Sequence, residues 1–265
     1  MEPLWTDIQA HAKEWMKEAK EIILASFQST LHIQEKSGRT DLVTNIDREV
    51  EAFFLGKIKS AYPAHHILGE EGTGHDLATL QGIVWIIDPI DGTLNFIHQH
   101  RNFAISIGVY QDGVGELGMI YDVMADELYC AIRGQGAYLN GERLKPLEAV
   151  SLSDSMISLN ASWLLPNHLV EREQAISLVR AVRGTRSIGS AALAITNVVS
   201  GIMDAYLSMR LAPWDFAGGL ILIREVGAEI ADIEGNPIAF PMDSSLIVAK
   251  PGLIAQITDI IKKNP

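Results

Sequence analysis

Cys130 is the only cysteine in 265 residues, so an intrachain disulfide and a thiolate zinc cluster are both excluded, in keeping with a reducing cytoplasm. Basic residues are also scarce: 21 Lys and Arg stand against 33 Asp and Glu, a formal net charge of −12. No dense Lys/Arg cluster offsets that balance. It disfavours binding to DNA, RNA or an anionic membrane surface, and an anionic substrate would need cations supplied locally. No apolar run approaches the ~20 residues that span a bilayer, and residues 1–12 are too mixed and polar for a signal peptide. A cytoplasmic protein is expected. The Gly134-Gln135-Gly136 run opens like a dinucleotide fingerprint but has Leu139 where the third glycine is required, so it reads as a turn. His98 and His100 have no further His or Cys to complete a metal set and read as solvated or packed. Internal repeats and low-complexity tracts are absent.

What is present is ordinary for a globular protein: 48% hydrophobic and 20% charged residues. The length allows one large or two closely joined core-bearing units. Trp5, Ile8, Ala12, Trp15, Ala19, Ile22 and Ile23 recur at three and four, which predicts an amphipathic helix over residues 3–28. Ser29 to Asp41, containing Lys36, reads as a polar loop able to move over a site. Thr44 followed by Asp47 predicts a capped helix start continuing to about Ala61, with Asp47 as its first-turn acid. Ile67-Leu68 reads as a short strand delivering Gly69-Glu70-Glu71-Gly72 to a turn.

The centre of the chain is Ile83-Val84-Trp85-Ile86-Ile87-Asp88-Pro89-Ile90-Asp91-Gly92-Thr93. Five apolar residues rich in Ile and Val read as a buried strand, so Asp88 lies where the chain leaves the sheet, the edge at which α/β folds place their chemistry. Pro89 pushes Asp88 towards an extended conformation and lets Asp88 and Asp91 turn towards one point. Two like charges held that close need a cation. Gly92 permits a close backbone approach, and Thr93 opens a helical turn whose free N–H groups would face an anion. Alternating strands from Phe103 to Ile132 then build an antiparallel sheet, with a turn at Asp112-Gly113. From about Leu152, strands alternate with helices. The expected organisation is therefore an α+β lobe over about 1–150 and an α/β lobe over about 151–265, with no flexible linker and a site between them. Pro213-Trp214-Asp215-Phe216-Ala217-Gly218-Gly219 places Asp215 at the start of an apolar helix. Glu70, Asp88, Asp91 and Asp215 are all hard oxygen donors, and gathered together they would suit Mg2+ better than zinc.

The ordered motifs GEE, WIIDPIDGT and PWDFAGG resemble those of the inositol monophosphatase family, Mg2+-dependent and lithium-sensitive phosphatases, over nearly the whole chain. The resemblance implies a layered αβαβα sandwich of the α/β class, in a commonly homodimeric enzyme. It implies that Glu70, Asp88 and the Ile90 carbonyl hold a first metal and that Asp88, Asp91 and Asp215 hold a second. Thr93 and Asp47, with Glu70, then act catalytically in two-metal activation of water, and Asp91, Gly92 and Thr93 bind the substrate phosphate. One position departs from the family. The glutamate found in the animal enzymes seven residues before the last metal-binding aspartate is Ser208 here, with Arg210 nearby as a possible anion contact. Phosphomonoester hydrolysis is thus the expected activity, on inositol monophosphate and related sugar phosphates. Alternatives in the superfamily are a fructose-1,6-bisphosphatase or an NADP(H)/nucleotide phosphatase. An alternative of another class is a metal-binding regulatory or scaffolding protein with little catalysis.

Overall fold

Of the apolar stripe predicted for the first helix, Trp5, Ile8, Ala12, Trp15, Ala19 and Ile23 are buried on one face of α1 (Glu2–Ser26), joined by Met16, while Ile22 is half-buried at the edge. The computed structural model describes residues 2–262 apart from 40, 75–79, 166, 168, 239 and 241–243. After α1 come β1 (Ile33–Gly38), β2 (Asp41–Thr44), α2 (Asn45–Ala61), β3 (His66–Gly69), β4 (Ile83–Asp91) and α3 (Thr93–Gln99). A meander follows of β5 (Ala104–Gln111), β6 (Val114–Asp122), β7 (Glu127–Ile132), β8 (Ala137–Leu139) and β9 (Glu142–Arg143). The rest alternates: β10 (Met156–Ser158), α4 (Arg172–Ala181), β11 (Gly184–Arg186), α5 (Ala191–Val199), β12 (Ala205–Leu211), α6 (Pro213–Glu225), β13 (Glu229–Ala231), β14 (Ser244–Ala249) and α7 (Leu253–Lys262).

Strands β3 to β9 form a seven-stranded sheet in sequence order, parallel only at β3–β4. A five-stranded sheet has the order β11-β10-β12-β14-β13. Strand β4 shows why its sequence is apolar without alternation. Trp85 and Ile87 enter the core under α1 and α2, while Val84 and Ile86 enter the core under α5 and α6, so both faces are covered. In β14, Leu246 and Val248 join that second core and Ile247 and Ala249 join a third, under α4 and α7. Three cores, the middle one spanning both faces of the α5 and α6 layer, thus join five layers in a layered αβαβα sandwich.

The middle layer sits unusually close to the large sheet. A Cβ on Gly118 would lie 2.2 Å from the Gly218 carbonyl oxygen, and one on Gly218 would lie 2.8 Å from that of Ile107. Paired glycines therefore let α6 lie nearly backbone to backbone on β5 and β6. That contact fixes the height of the α6 N-terminus, where Asp215 stands.

The segment expected as a loop over Ser29 to Asp41 is instead largely a hairpin, with β1 antiparallel to β2. Backbone pairing needs no apolar face, and Ile33 is 48% exposed, so this ribbon carries no alternating signal to read. Strand β12 also runs past Leu207, where the sequence predicted its end, to Leu211 through an irregularity between Ser208 and Leu211. Ser208 and Arg210 accordingly lie on a sheet strand. Among the described residues, no helix is long and apolar enough to cross a membrane.

Candidate active site

Asp88 and Asp91 both lie within β4, which runs three residues past the point where the sequence placed the end of the strand; its ladder to β5 is irregular between the two acids, and their carboxylates turn to the same side. Asp215, on the first turn of α6, completes the group: one carboxylate oxygen from each acid lies within 4.8 Å of the others. Asp215 Oδ2 also accepts the Ala212 N–H at 2.8 Å, so this acid caps its helix and faces the cluster at once. Glu70, just after β3, lines the same recess of about 190 Å³ together with Ile90, Gly92 and Thr93.

The electrostatics are those of crowded acids. Burial, then Glu70, Asp91 and Asp215, push Asp88 well above the usual carboxylate range. Burial also raises Asp91, to about 6, against the lowering effect of hydrogen bonds from Ser190, Ala192 and Ala191. Glu70 is raised by burial despite Lys36. The Lys36 Nζ donates to Glu70 Oε1 at 3.0 Å and Glu71 Oε1 at 2.6 Å, so the β1–β2 hairpin brings a cation to the rim. Burial alone would depress the Lys36 ammonium, but the two glutamates outweigh it and hold it above its ordinary value.

Beside the acids lies a hydroxyl and carboxylate pair. Thr93 Oγ1 is 3.2 Å from Asp47 Oδ1 and 3.2 Å from the Ile90 carbonyl oxygen. Asp47 Oδ2 accepts the Thr44 N–H at 2.9 Å and the Thr44 hydroxyl at 2.5 Å. Asp47 is therefore both a helix-cap partner and a fully buried site residue, with one oxygen for each task. Burial raises its pKa, opposed by the Thr44 bonds.

A second recess, about 240 Å³, shares Asp91, Gly189 and Asp215 with the first and extends past Ser158, Asn160, Ser187 and Tyr206. Ser208 lines it; Arg210 is exposed and lines neither recess. The carbonyl of Arg210 accepts from the Ser208 hydroxyl at 3.2 Å. Sequence reasoning missed the residues that hold Asp91. Ser190 donates to Asp91 Oδ2, as does the Ala192 N–H at 2.8 Å, and the Ala191 N–H reaches Oδ1 at 3.2 Å. Ser190 read as a helix cap, which it also is, donated to by the Leu193 N–H at 3.1 Å. Nothing local points it at an acid 99 positions away.

Residues 4–263 match the model of the inositol monophosphatase family. The chain is 49% identical over 249 residues to inositol-1-monophosphatase of Bacillus subtilis, covering 94% of each. It is 38% identical over 202 residues to Nus factor SuhB of Escherichia coli, covering 76% of this chain and 75% of the other. Its fold matches an IMPase/NADP phosphatase complexed with Mg2+ and phosphate at a TM-score of 0.91 and 25% identity, covering 98% and 96%. The chain belongs to the inositol monophosphatase family.

Proposed function

We propose that this protein is a Mg2+-dependent phosphomonoesterase that hydrolyses inositol monophosphate and related sugar phosphates. The observation that carries the reading is the convergence of Asp88, Asp91 and Asp215 beside the Thr93–Asp47 pair. The donors suit the cation: they are all oxygen and mostly buried, and burial, with the repulsion of neighbouring acids added to it, lifts Asp88 far from its ordinary value. Glu70, Asp88, the Ile90 carbonyl, Asp91 and Asp215 would hold the Mg2+. Bound there, Mg2+ supplies Lewis acidity towards water and neutralises charge on phosphate oxygens.

The chain's own residues do the rest. Asp47 holds the Thr93 hydroxyl, and the pair orients a water and takes its proton, with the rise in Asp47 basicity on burial working in the same direction. Gly92 has φ 93°, a left-handed backbone that suits glycine, and turns the chain so that the Gly92 and Thr93 N–H groups offer donors to a phosphate. Asp91 lines both recesses and would stand between the phosphate and the rest of the substrate.

The second recess supports a broad substrate range. Ser158, Asn160, Ser187 and Ser208 offer uncharged hydrogen-bonding groups. Ser208 replaces the longer carboxylate by which animal family members grip inositol hydroxyls, and a charge-assisted bond of that kind is worth about 1.5–3 kcal/mol. Arg210 lies outside the recess, so Ser208 carries the specificity reading alone. The same resemblance carries lithium inhibition and a homodimer, and the single cysteine fits a cytoplasmic location. The SuhB relative directs attention to a noncatalytic role, but the intact acids and the Thr93–Asp47 pair favour catalysis. Phosphate release with Mg2+ should be measured across inositol monophosphate, sugar bisphosphates, NADP and nucleotides. Turnover of several monoesters, abolished by chelator and reduced by Li+, is expected. Activity that persists in excess chelator overturns the reading. Ser208→Glu should shift relative kcat/KM towards inositol monophosphate by roughly 10-fold or more, the value of one such bond.

A further inference from the structure

Glu51 lies one turn after Asp47 on α2, is 4% exposed, and has no part in the chemistry above. Its carboxylate reaches under the turn that carries Glu70. Oε2 accepts the Glu71 N–H at 2.7 Å, and Oε1 accepts the Thr73 hydroxyl at 2.6 Å and the Thr73 N–H at 3.2 Å. Gly69 admits it: a Cβ there would lie 2.4 Å from Glu51 Oε2. The turn has reason to need a clamp, since Gly72 and Gly74 both adopt positive φ and leave its backbone few conformational restraints of its own. Its first residues are tied to the sheet by the Glu70 N–H donating to the Ile87 carbonyl at 3.2 Å, and Gly69 N–H closes the turn on the Thr73 carbonyl at 2.8 Å. Glu51 supplies the hold on the far side, at residues 71 and 73.

We propose that Glu51 is a positioning residue for the metal centre, fixing the backbone after Glu70 so that the Glu70 carboxylate stays against Asp88 and the shared cation. The proposal rests on reading Glu70 as a metal ligand. Asp47 and Glu51 are four residues apart and so lie on one face of α2. One rigid helix therefore holds both the Thr93 hydroxyl and the Glu70 turn, and it sets the spacing between the water-orienting pair and the metal-binding side. A merely structural Glu51 would stabilise the turn without affecting how tightly the cation is held.

The two roles separate in a calorimetric titration of Mg2+ into the full chain, with melting temperature measured in parallel. Glu51→Gln leaves one acceptor oxygen and turns an NH2 towards N–H and O–H donors, so it cannot keep all three bonds. Mg2+ affinity is expected to fall about tenfold, the lower end for losing a group that orients metal ligands, while turnover is largely restored by excess Mg2+. Thr73→Val removes only the hydroxyl donor and should weaken Mg2+ binding by a smaller factor; it decides the matter if Glu51→Gln does not fold. A lower melting temperature with an unchanged Mg2+ isotherm in the folded variants overturns the positioning role. A wild type that takes up no Mg2+ overturns the metal reading itself, and the proposal with it, so the two failures are distinguishable.

Discussion

Asp91 is held from two directions, by its own strand and by the Ser190 hydroxyl with the N–H groups of Ala191 and Ala192. Asp91→Asn would turn an NH2 towards those donors. It should lower turnover by roughly 10²-fold or more, and the melting temperature with it. Asp88 is different, because its bond from the Ile90 N–H at 3.0 Å can be kept by an amide oxygen while one crowded charge is removed. Asp88→Asn should therefore inactivate the enzyme yet raise the melting temperature in chelator. A variant that melts lower than wild type would show that the acids do not destabilise the metal-free fold. Thr93→Ala and Asp47→Asn should each cost about 10²–10⁴-fold in turnover, with little change in substrate affinity. Their losses should not multiply in the double variant, since the two act through one hydrogen bond. These acids were legible in the sequence because an apolar run ending in Asp-Pro-Ile-Asp-Gly-Thr dictates a local geometry. Ser190 and Glu51 were not, because each meets its partners only through tertiary contacts, 99 positions away for Ser190 and 20 and 22 for Glu51.

The elements divide the work: α2 presents Asp47 and Glu51, the β1–β2 hairpin presents Lys36, and α6 presents Asp215 from a helix laid on the sheet. That last placement depends on glycine. Gly118→Ala sets a Cβ against the Gly218 carbonyl oxygen, a backbone atom that cannot swing aside, and is expected to cost about 1–3 kcal/mol by overpacking. Because α6 must move to relieve the clash, Mg2+ affinity should fall along with the melting temperature. Ordinary Mg2+ binding in Gly118→Ala would mean that Asp215 is placed independently of this contact. The helices were readable from their apolar stripes. The hairpin was not, for its buried residues, Val43 and Thr44, are adjacent at one end of β2 and make no period-two pattern, and β12 passed unread beyond Leu207 because its irregular register interrupts the alternation.

Across the whole molecule, folding assembles acids that favour separation or protonation, and the cation offsets them. The sign follows from Asp91, whose carboxyl rises from an ordinary 3.8 to about 6 on folding. Between those values the folded chain binds more protons than the unfolded one, so metal-free stability falls as pH rises through that window and the full penalty remains above it. Melting temperatures should therefore differ little with and without Mg2+ at about pH 5, where protons compete with the cation, and widely at about pH 8. At a Mg2+ concentration about 100-fold above Kd the gain is about 2.7 kcal/mol. A gain independent of pH would mean that the cation does not bind at these carboxylates. The sequence by itself determined the long helices, the central strands of the large sheet, the acids on β4 and α6, and the family, because each depends on residues a few positions apart whose spacing dictates their geometry. Only the tertiary structure decided that Asp91 accepts from the N-terminus of α5, that Glu51 clamps the Glu70 turn and that residues between Ser158 and Asp215 wall the second recess. Those partners lie in different layers, and a single hydrogen bond across layers leaves no periodic trace in the chain.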